Sequence, residues 1–571
     1  MTESDSNYWR GRRVSRRAIV RGAALGGIGL AASALIGCGE EDEPEGTAAS
    51  GGVTATAAST EVAPQGNQKS GGRLARAASR DTDTFDLHAS ETSGTMTPAA
   101  PMYNKLIQFD PMKVDDGPDD IIPDLAESWE VAPDGMTYTF NLVQNAKFHD
   151  GKPFTSADVR ATIERQQAPD AHGMSVAPRG AALRTITAIE TPDDYTVIFK
   201  TGRPAAPSSF LPMLAQGWMA IYSEQDIGNG FDYKTGGNGT GPYRNLTLRP
   251  GSQESLDKNP DYHVPGRPFL DGLDFYIIPE TGSRNAAFEA KQTHMQSVNA
   301  SALKALQASM GDSITHQRRP DLVFDMMSFN TTKAPWNDER VRTAFSRAIN
   351  RVDAIDIVMQ GEGVQGGYLR PGGPWALPAS EFEAIPGYEP HGANTLGEIR
   401  KLLDAAGVPE GFEVPLLIRD GVSNNQGLFT GDQLAKVGIN VRQDAVQSAI
   451  AYQRLNDAEF ELVVFGLTTS LDDPDSLWNQ YHLDGSPGNY TNVTSPEVEE
   501  LFIKQSTELD PEARKELVNE LQRVTMPLLG KVIFYWKISN LVLQRSVKDF
   551  VMHARAGDYN NQVMQDVWLD A

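Results

Sequence analysis

The 571-residue chain has one cysteine, Cys38, which excludes an internal disulfide framework, a cysteine zinc site and a CxxC redox pair. Its nine histidines are scattered, with no two at i,i+4 spacing, so no HExxH-type metal site is encoded. No apolar run reaches the roughly 18 uncharged residues of a conventional membrane span. Basic residues are in deficit: 51 Lys and Arg face 75 Asp and Glu, a formal net charge of −24. A surface of that sign repels phosphate backbones, so nucleic acid is not an expected partner. GxSxG and P-loop patterns are missing. Gly361-Glu362-Gly363-Val364-Gln365-Gly366 matches GxGxxG, but it follows a helical pattern and lacks the strand-to-helix setting that a dinucleotide needs. These absences point away from an enzyme and from any metal or cofactor. The length nevertheless provides for several packed domains.

The N-terminus differs from the rest. Residues 1–37 hold six arginines (Arg10, Arg12, Arg13, Arg16, Arg17, Arg21) against Glu3 and Asp5, followed by a short Gly/Ala-rich stretch from Gly22 to Leu35. A basic segment before a short apolar one is an export signal, to be left out of fold reasoning. Arg16-Arg17 within Ser15–Arg21 resembles a twin-arginine export motif, and Leu35-Ile36-Gly37-Cys38 resembles a bacterial lipobox, whose cysteine carries lipid. Loss of 1–37 leaves 45 basic against 73 acidic residues, a net charge of −28. Residues 38–72 then read as the lipidated cysteine and a flexible linker, with little to bury. The expected product is an extracytoplasmic body anchored to the membrane through lipid.

The body alternates strand and helix patterns. Ser128–Val143 is a hairpin with Tyr138, Phe140 and Leu142 on one face and Ala132-Pro133-Asp134-Gly135 at its turn. His149-Asp150-Gly151 is a second turn, and Thr155…Asp158 is a capping box opening a helix that buries Val159 and Ile163. From Asn337 the spacing predicts one helix with a continuous stripe: Val341, Ala344, Phe345, Ala348, Ile349, Val352 and Ile355. Another helix runs from Asn394 to Gly407. Strand 412–418, helix 426–437, strand 439–442, helix 446–456 and strand 460–466 form an α/β unit. Helices open at Ser495-Pro496 and at Asp510, and a strand returns over 531–536. The fold class is therefore α/β with mixed α+β lobes.

An ordered set of stretches resembles the solute-binding proteins of ATP-driven (ABC) importers, the dipeptide- and oligopeptide-binding group known as solute-binding protein family 5. It comprises Pro123–Glu130, Phe148–Val159, Gly239-Thr240-Gly241-Pro242-Tyr243, Asn259–Tyr262, Arg267–Asp271, Phe329–Thr332 with Asp338–Arg342, Lys401–Gly407, and Asp473-Pro474. The resemblance implies a periplasmic-binding-protein-like architecture: two large lobes joined by a hinge, with a smaller inserted lobe. Lobe I would take 73–106, 240–322 and 541–571; lobe II, 107–239; and lobe III, 323–540. Ligand would lie between the large lobes, which close on it. The implied partners are a peptide or other small solute and the membrane permease, with the binding protein itself a monomer.

In that family the carboxylate anchoring a ligand amine precedes the Asp-Pro pair by three residues. The matching position here is Ser470, in the loop Leu467-Thr468-Thr469-Ser470-Leu471-Asp472. An ammonium buried without a partner is costly. Either the ligand lacks a free amine there, or Asp472 substitutes. The bland alternative is that Asp472-Asp473-Pro474-Asp475 is a solvated turn. The expected ligand-binding residues are Thr468, Thr469, Ser470, Leu471 and Asp472, with Trp218, Trp375 and Trp478 offering flat apolar area. Each tryptophan, like Trp336, also suits plain core packing, and His149 suits a structural turn. Peptides lead as ligand; an opine-like derivative, an oligosaccharide, a chelated metal, or a sensing role without transport are the alternatives.

Overall fold

The computed structural model describes residues 67–553 and 564–570, apart from 91, 115–116, 175–176, 179, 181, 470 and 487. Arg16, Arg17, Cys38, the linker up to residue 66, and Ser470 lie outside the described residues.

One mixed sheet of eleven strands runs through the molecule. Its centre is a ribbon of two long antiparallel strands, Ile314–Phe329 and Lys531–Gln544. Toward one end the second long strand pairs with Met295–Val298, followed by Arg73–Ala78, Gly272–Ile277, Gln253–Lys258 and Tyr243–Arg249. Toward the other end the first long strand pairs with Leu462–Thr468, followed by Phe412–Arg419 and Ile439–Val446. Register within the ribbon is regular from Ile314↔Gln544 to Pro320↔Ile538, then shifts before Phe324↔Trp536 and again between Asp325 and Met326. Pro320 has no N–H to give the ladder, which suits the edge of such a break. The lobe boundaries expected at 322/323 and 540/541 thus fall inside two continuous strands rather than between elements.

The segment between the first strand and residue 239 carries its own antiparallel sheet: Ala126–Val131, Thr137–Leu142, Thr196–Thr201 and Ile186–Asp193. The predicted hairpin pairs Trp129 with Phe140 and Val131 with Tyr138, and Gly135 turns it at φ +65°. Tyr138, Phe140 and Leu142 are buried, and Phe210 stacks obliquely 4.3 Å from Tyr138. Helix Ser156–Gln167 starts where expected, with the Thr155 N–H donating to the Asp158 carboxylate at 2.8 Å.

Two sequence motifs meet at the exit from this segment. The His149 N–H donates to the Gly239 carbonyl, and His149 Nε2 donates to the Gly241 carbonyl at 3.1 Å. Gly239 and Gly241 cross the Met102 backbone so closely that a Cβ would lie 2.0 Å and 2.4 Å from its atoms, which is why glycine occupies both positions. Burial lowers the His149 pKa to about 4, so the ring stays neutral in this structural turn.

The α/β unit forms as read: Phe412–Arg419 lies parallel to both Ile439–Val446 and Leu462–Thr468. One expectation fails. The helix opened by Asp338 ends at Ala348, Ile349 is extended, and the Asn350 side chain accepts from the Val352 and Asp353 N–H groups to restart a short helix. This new cap rotates the stripe, so Val341, Ala344, Phe345, Ala348 and Ile349 are buried while Val352 is 57% exposed. The helix after Asn394 is placed correctly, ending before Gly407 at φ +76°, although the Asn394 side chain makes no capping bond.

Candidate functional site

Strand Leu462–Thr468 ends beside the register break, and Thr469 donates its N–H to the Leu322 carbonyl at 3.0 Å. The chain then crosses to helix Pro474–Tyr481, which Asp473 caps by accepting the Asp475 N–H at 2.9 Å, with proline at the first helical position. Leu471 is 7% exposed and packs into the apolar core that joins Leu74, Met102, Phe140, Phe210 and Trp218. It is the one described residue of 323–540 in that core. The loop singled out from the sequence therefore sits at the junction between the third lobe and the other two.

The acids of this loop are engaged by arginines, not by solvent. Asp473 is 1% exposed and holds Arg514 in a fork, Oδ2 to Nη1 at 3.0 Å and Oδ1 to Nη2 at 3.1 Å. Arg514 is fully buried, with its guanidinium 4.4 Å above the Trp375 ring. Asp472 is paired with Arg370, whose Nε donates to Oδ2 at 2.8 Å, and both side chains are buried. The solvated-turn reading of Asp472 and Asp473 is therefore corrected: each carboxylate left water because a specific guanidinium replaced it. Any ligand ammonium at Asp472 would share its carboxylate with Arg370.

The inserted lobe reaches this cluster directly. Ser209 Oγ donates toward Asp473 Oδ1 at 3.2 Å and Asp475 Oδ2 at 3.0 Å, and Ser208 Oγ accepts from Arg514 Nη1 at 3.1 Å. Nearby, Arg203 donates to Ser506 Oγ at 2.9 Å. Burial raises the Asp473 pKa to about 6; Asp475 beside it adds to the rise, while Arg514 opposes it. Burial disfavours the Arg514 charge, but the two carboxylates outweigh it and hold its pKa above the ordinary value.

The tryptophans divide. Trp375 lies under Arg514 and its carbonyl accepts from Gln522 at 2.9 Å, within reach of the loop's charges. Trp218 is buried in the core that Leu471 enters. Trp478 is not a junction residue: it is wholly buried inside the third lobe, its indole N–H on Thr525 Oγ1 at 3.2 Å and its ring against Tyr368 and His482. Trp336 is likewise core, stacked on Phe329 and edge-on to Phe345. Thr468 and Thr469 line the loop's start, with the Thr468 carbonyl accepting from Tyr481 Oη. Sequence reasoning missed Arg370, Arg514, Ser208 and Ser209. A signal existed for Arg514 alone, because it occupies the stripe shared with buried Val518, Leu521 and Thr525 on helix Pro511–Thr525.

A sheet continuous across two lobes, with a third lobe inserted and a loop meeting both others at the junction, defines a solute-binding architecture. ABC transporter-associated periplasmic binding protein DppA from Helicobacter pylori, solved with the peptide STSA, superposes with a TM-score of 0.73 at 24% identity, covering 88% of this chain and 99% of that one. The PBP AgaA from A. tumefaciens R10, solved with agropinic acid, gives 0.70 at 25% identity, covering 88% and 99%. The family profile "Bacterial extracellular solute-binding proteins, family 5 Middle" matches residues 120–489, and the chain belongs to that family. The dipeptide-binding protein of Escherichia coli K12 is 29% identical over 507 residues, 81% of this chain and 89% of that protein. The family is one of solute-binding proteins rather than enzymes. Among the described residues no helix is long and apolar enough to cross a membrane, and no group of three His, Cys, Asp or Glu side chains is placed to hold a metal ion.

Proposed function

We propose that this chain captures peptides outside the cytoplasm and delivers them to the permease of an ABC importer, without covalent chemistry. The observation that carries this reading is Leu471, which enters the core of the other two lobes from the third, near the register shifts in the long ribbon. A two-stranded ribbon with its register shifts confined to one short stretch suits hinge bending, and a solute that contacts both sides favours the closed state by its differential affinity. The E. coli dipeptide-binding relative supports a peptide as solute. Ser470 at the expected amine-anchoring position, together with AgaA and its agropinic acid, supports an opine-like solute as the second reading. Lobes I, II and III are assigned to the chain segments given above. Cys38 carries the lipid anchor, Arg16-Arg17 direct export, and the protein acts as a monomer.

Native mass spectrometry on protein recovered gently from host membranes tests the ligand. A ladder of bound amino-acid masses supports peptides, and one discrete non-peptide mass supports the second reading. A ligand-free protein whose melting temperature no peptide of a broad panel raises would overturn both. Cys38→Ser is expected to release the protein from the membrane fraction.

A further inference from the structure

The first-lobe end of the sheet contains a crevice that the junction loop does not account for. Arg73–Ala78 runs parallel to Gly272–Ile277 over six register pairs, but meets the parallel strand Met295–Val298 at one pair only, Arg76↔Met295. Beyond that pair the two strands part. Their continuations leave on opposite faces of the sheet. The chain after Ala78 delivers Phe85 and Leu87 to the core that holds Leu74, Leu541 and Leu543. The chain after Val298 enters helix Ala300–Met310, whose Leu303 and Leu306 pack with Phe288 and Val542. Leu541 and Val542, adjacent on one strand, point to opposite faces. Adjacent parallel strands with opposite exits leave an open crevice at their C-terminal ends, the place where open α/β sheets bind ligands.

That crevice is a cavity of about 230 Å³ whose polar lining is Arg76, Ser79, Arg284, Gln296 and Ser297, with Leu541 as an apolar wall. Among the described residues no acidic side chain lines it, in a chain whose net charge is −24. Arg284 is oriented by neutral acceptors: it donates to the carbonyls of Ile278 at 2.9 Å and Pro279 at 2.5 Å, and to Thr281 Oγ1 at 2.7 Å. It forms no ion pair among the described residues. Leu541 lies on the long strand just past the register break, so the crevice adjoins the hinge. Solute sites commonly enclose about 300–1,000 Å³, so this volume suits one end of a solute.

We propose that this crevice is an anion subsite in which Arg76 and Arg284 receive a carboxylate of the captured solute. The inference rests on the solute-capturing reading above and extends it to a charged group. Titration calorimetry on the full chain compares N-acetyl-trialanine, its C-terminal amide, and N-acetyl-Ala-Ala-Asp-amide. In the unaltered protein the first is expected to bind at least tenfold more tightly than the second. Tight binding of the third would identify an acidic side chain, rather than the chain end, as the source of the carboxylate. Arg76→Gln and Arg284→Gln should each reduce the acid-to-amide ratio to threefold or less. Ser297→Asp, at an exposed position that leaves both arginines in place, should remove the preference. An acid-to-amide ratio unchanged in all three variants would overturn the proposal. If none of these acetylated peptides binds, the broad peptide panel decides the peptide reading, and a succinate titration followed by thermal shift decides the subsite. Succinate stabilisation lost in Arg284→Gln and Ser297→Asp upholds it, and stabilisation absent or equal in all proteins overturns it.

Discussion

Two buried arginine–aspartate forks stand where lobes meet in this molecule, one across the boundary and one within the third lobe facing it, and they are built differently. Asp86 and Arg165 meet at 3.0 and 2.6 Å between the first strand's exit and the inserted lobe's helix. The guanidinium lies 5.3 Å and 5.0 Å from the ring centroids of Tyr222 and Tyr233, which stack on each other, and the His88 N–H also donates to Asp86. Burial pushes the Asp86 carboxyl up, but the Arg165 fork and His88 outweigh it and hold its pKa below the ordinary value. Asp473 and Arg514 form the same fork, yet a second carboxylate, Asp475, stands beside it, and the contacts from the inserted lobe come from serine hydroxyls. One fork is charge-balanced and packed against aromatic rings, which suits a permanent joint. The other carries a surplus acid and meets its neighbour through serine hydroxyls, which water can replace as partners of the charged side chains. That combination suits a joint that opens.

The sharpest way to break the comparison is Arg165→Ala. It strands a buried carboxylate and should cost about 3–5 kcal/mol in urea unfolding; a loss below about 1 kcal/mol would show that the joint is not structural. Next in size are the opposite pH dependences. The Asp86 pKa is depressed, so its contribution is present above the ordinary aspartate range and fades as pH falls through the folded value. The Asp473 pKa is raised, so its contribution is present below the ordinary range and lost as pH rises through about 6. Carboxyl ¹³C titration of the two aspartates should therefore place Asp473 well above Asp86, and coincident titrations would erase the distinction. The smallest effect is expected from Ser208→Ala with Ser209→Ala, which removes the hydroxyl contacts but leaves both arginine–aspartate forks paired. Solution scattering should show a shift toward an extended form with the melting temperature nearly unchanged. A lowered melting temperature without that shift would make the serines ordinary packing.

Much of the fold was legible because its signals are local. The hairpin at Gly135, the helix starting after Thr155 and the alternation from Phe412 to Thr468 each lie within a short window of residues. The long ribbon was half legible. Lys531–Trp536 reads as a strand, but its continuation to Gln544 and the partner Ile314–Phe329 do not. The first half of that partner, Ile314-Thr315-His316-Gln317-Arg318-Arg319-Pro320-Asp321, is polar and contains proline, so its pairing comes from the opposite strand rather than from its own pattern. The junction loop was placed through its resemblance to a family. Its charge partners were not, because Arg370 and Arg514 lie 102 and 41 residues from their aspartates and no local spacing records such a pairing.

The ribbon also dictates an order of assembly. Met295–Val298 waits for Leu541–Leu543 as its second neighbour, and Tyr243, Tyr262 and Arg267 wait for Met564, Gln565 and Asp566. The lobe whose first strand leaves the ribosome earliest is therefore the last to be completed, whereas residues 323–536 contain every strand partner of the far end of the sheet. A nascent chain stalled before residue 541 would hold one finished lobe beside one with an unpaired strand edge, the kind of surface that chaperones cover.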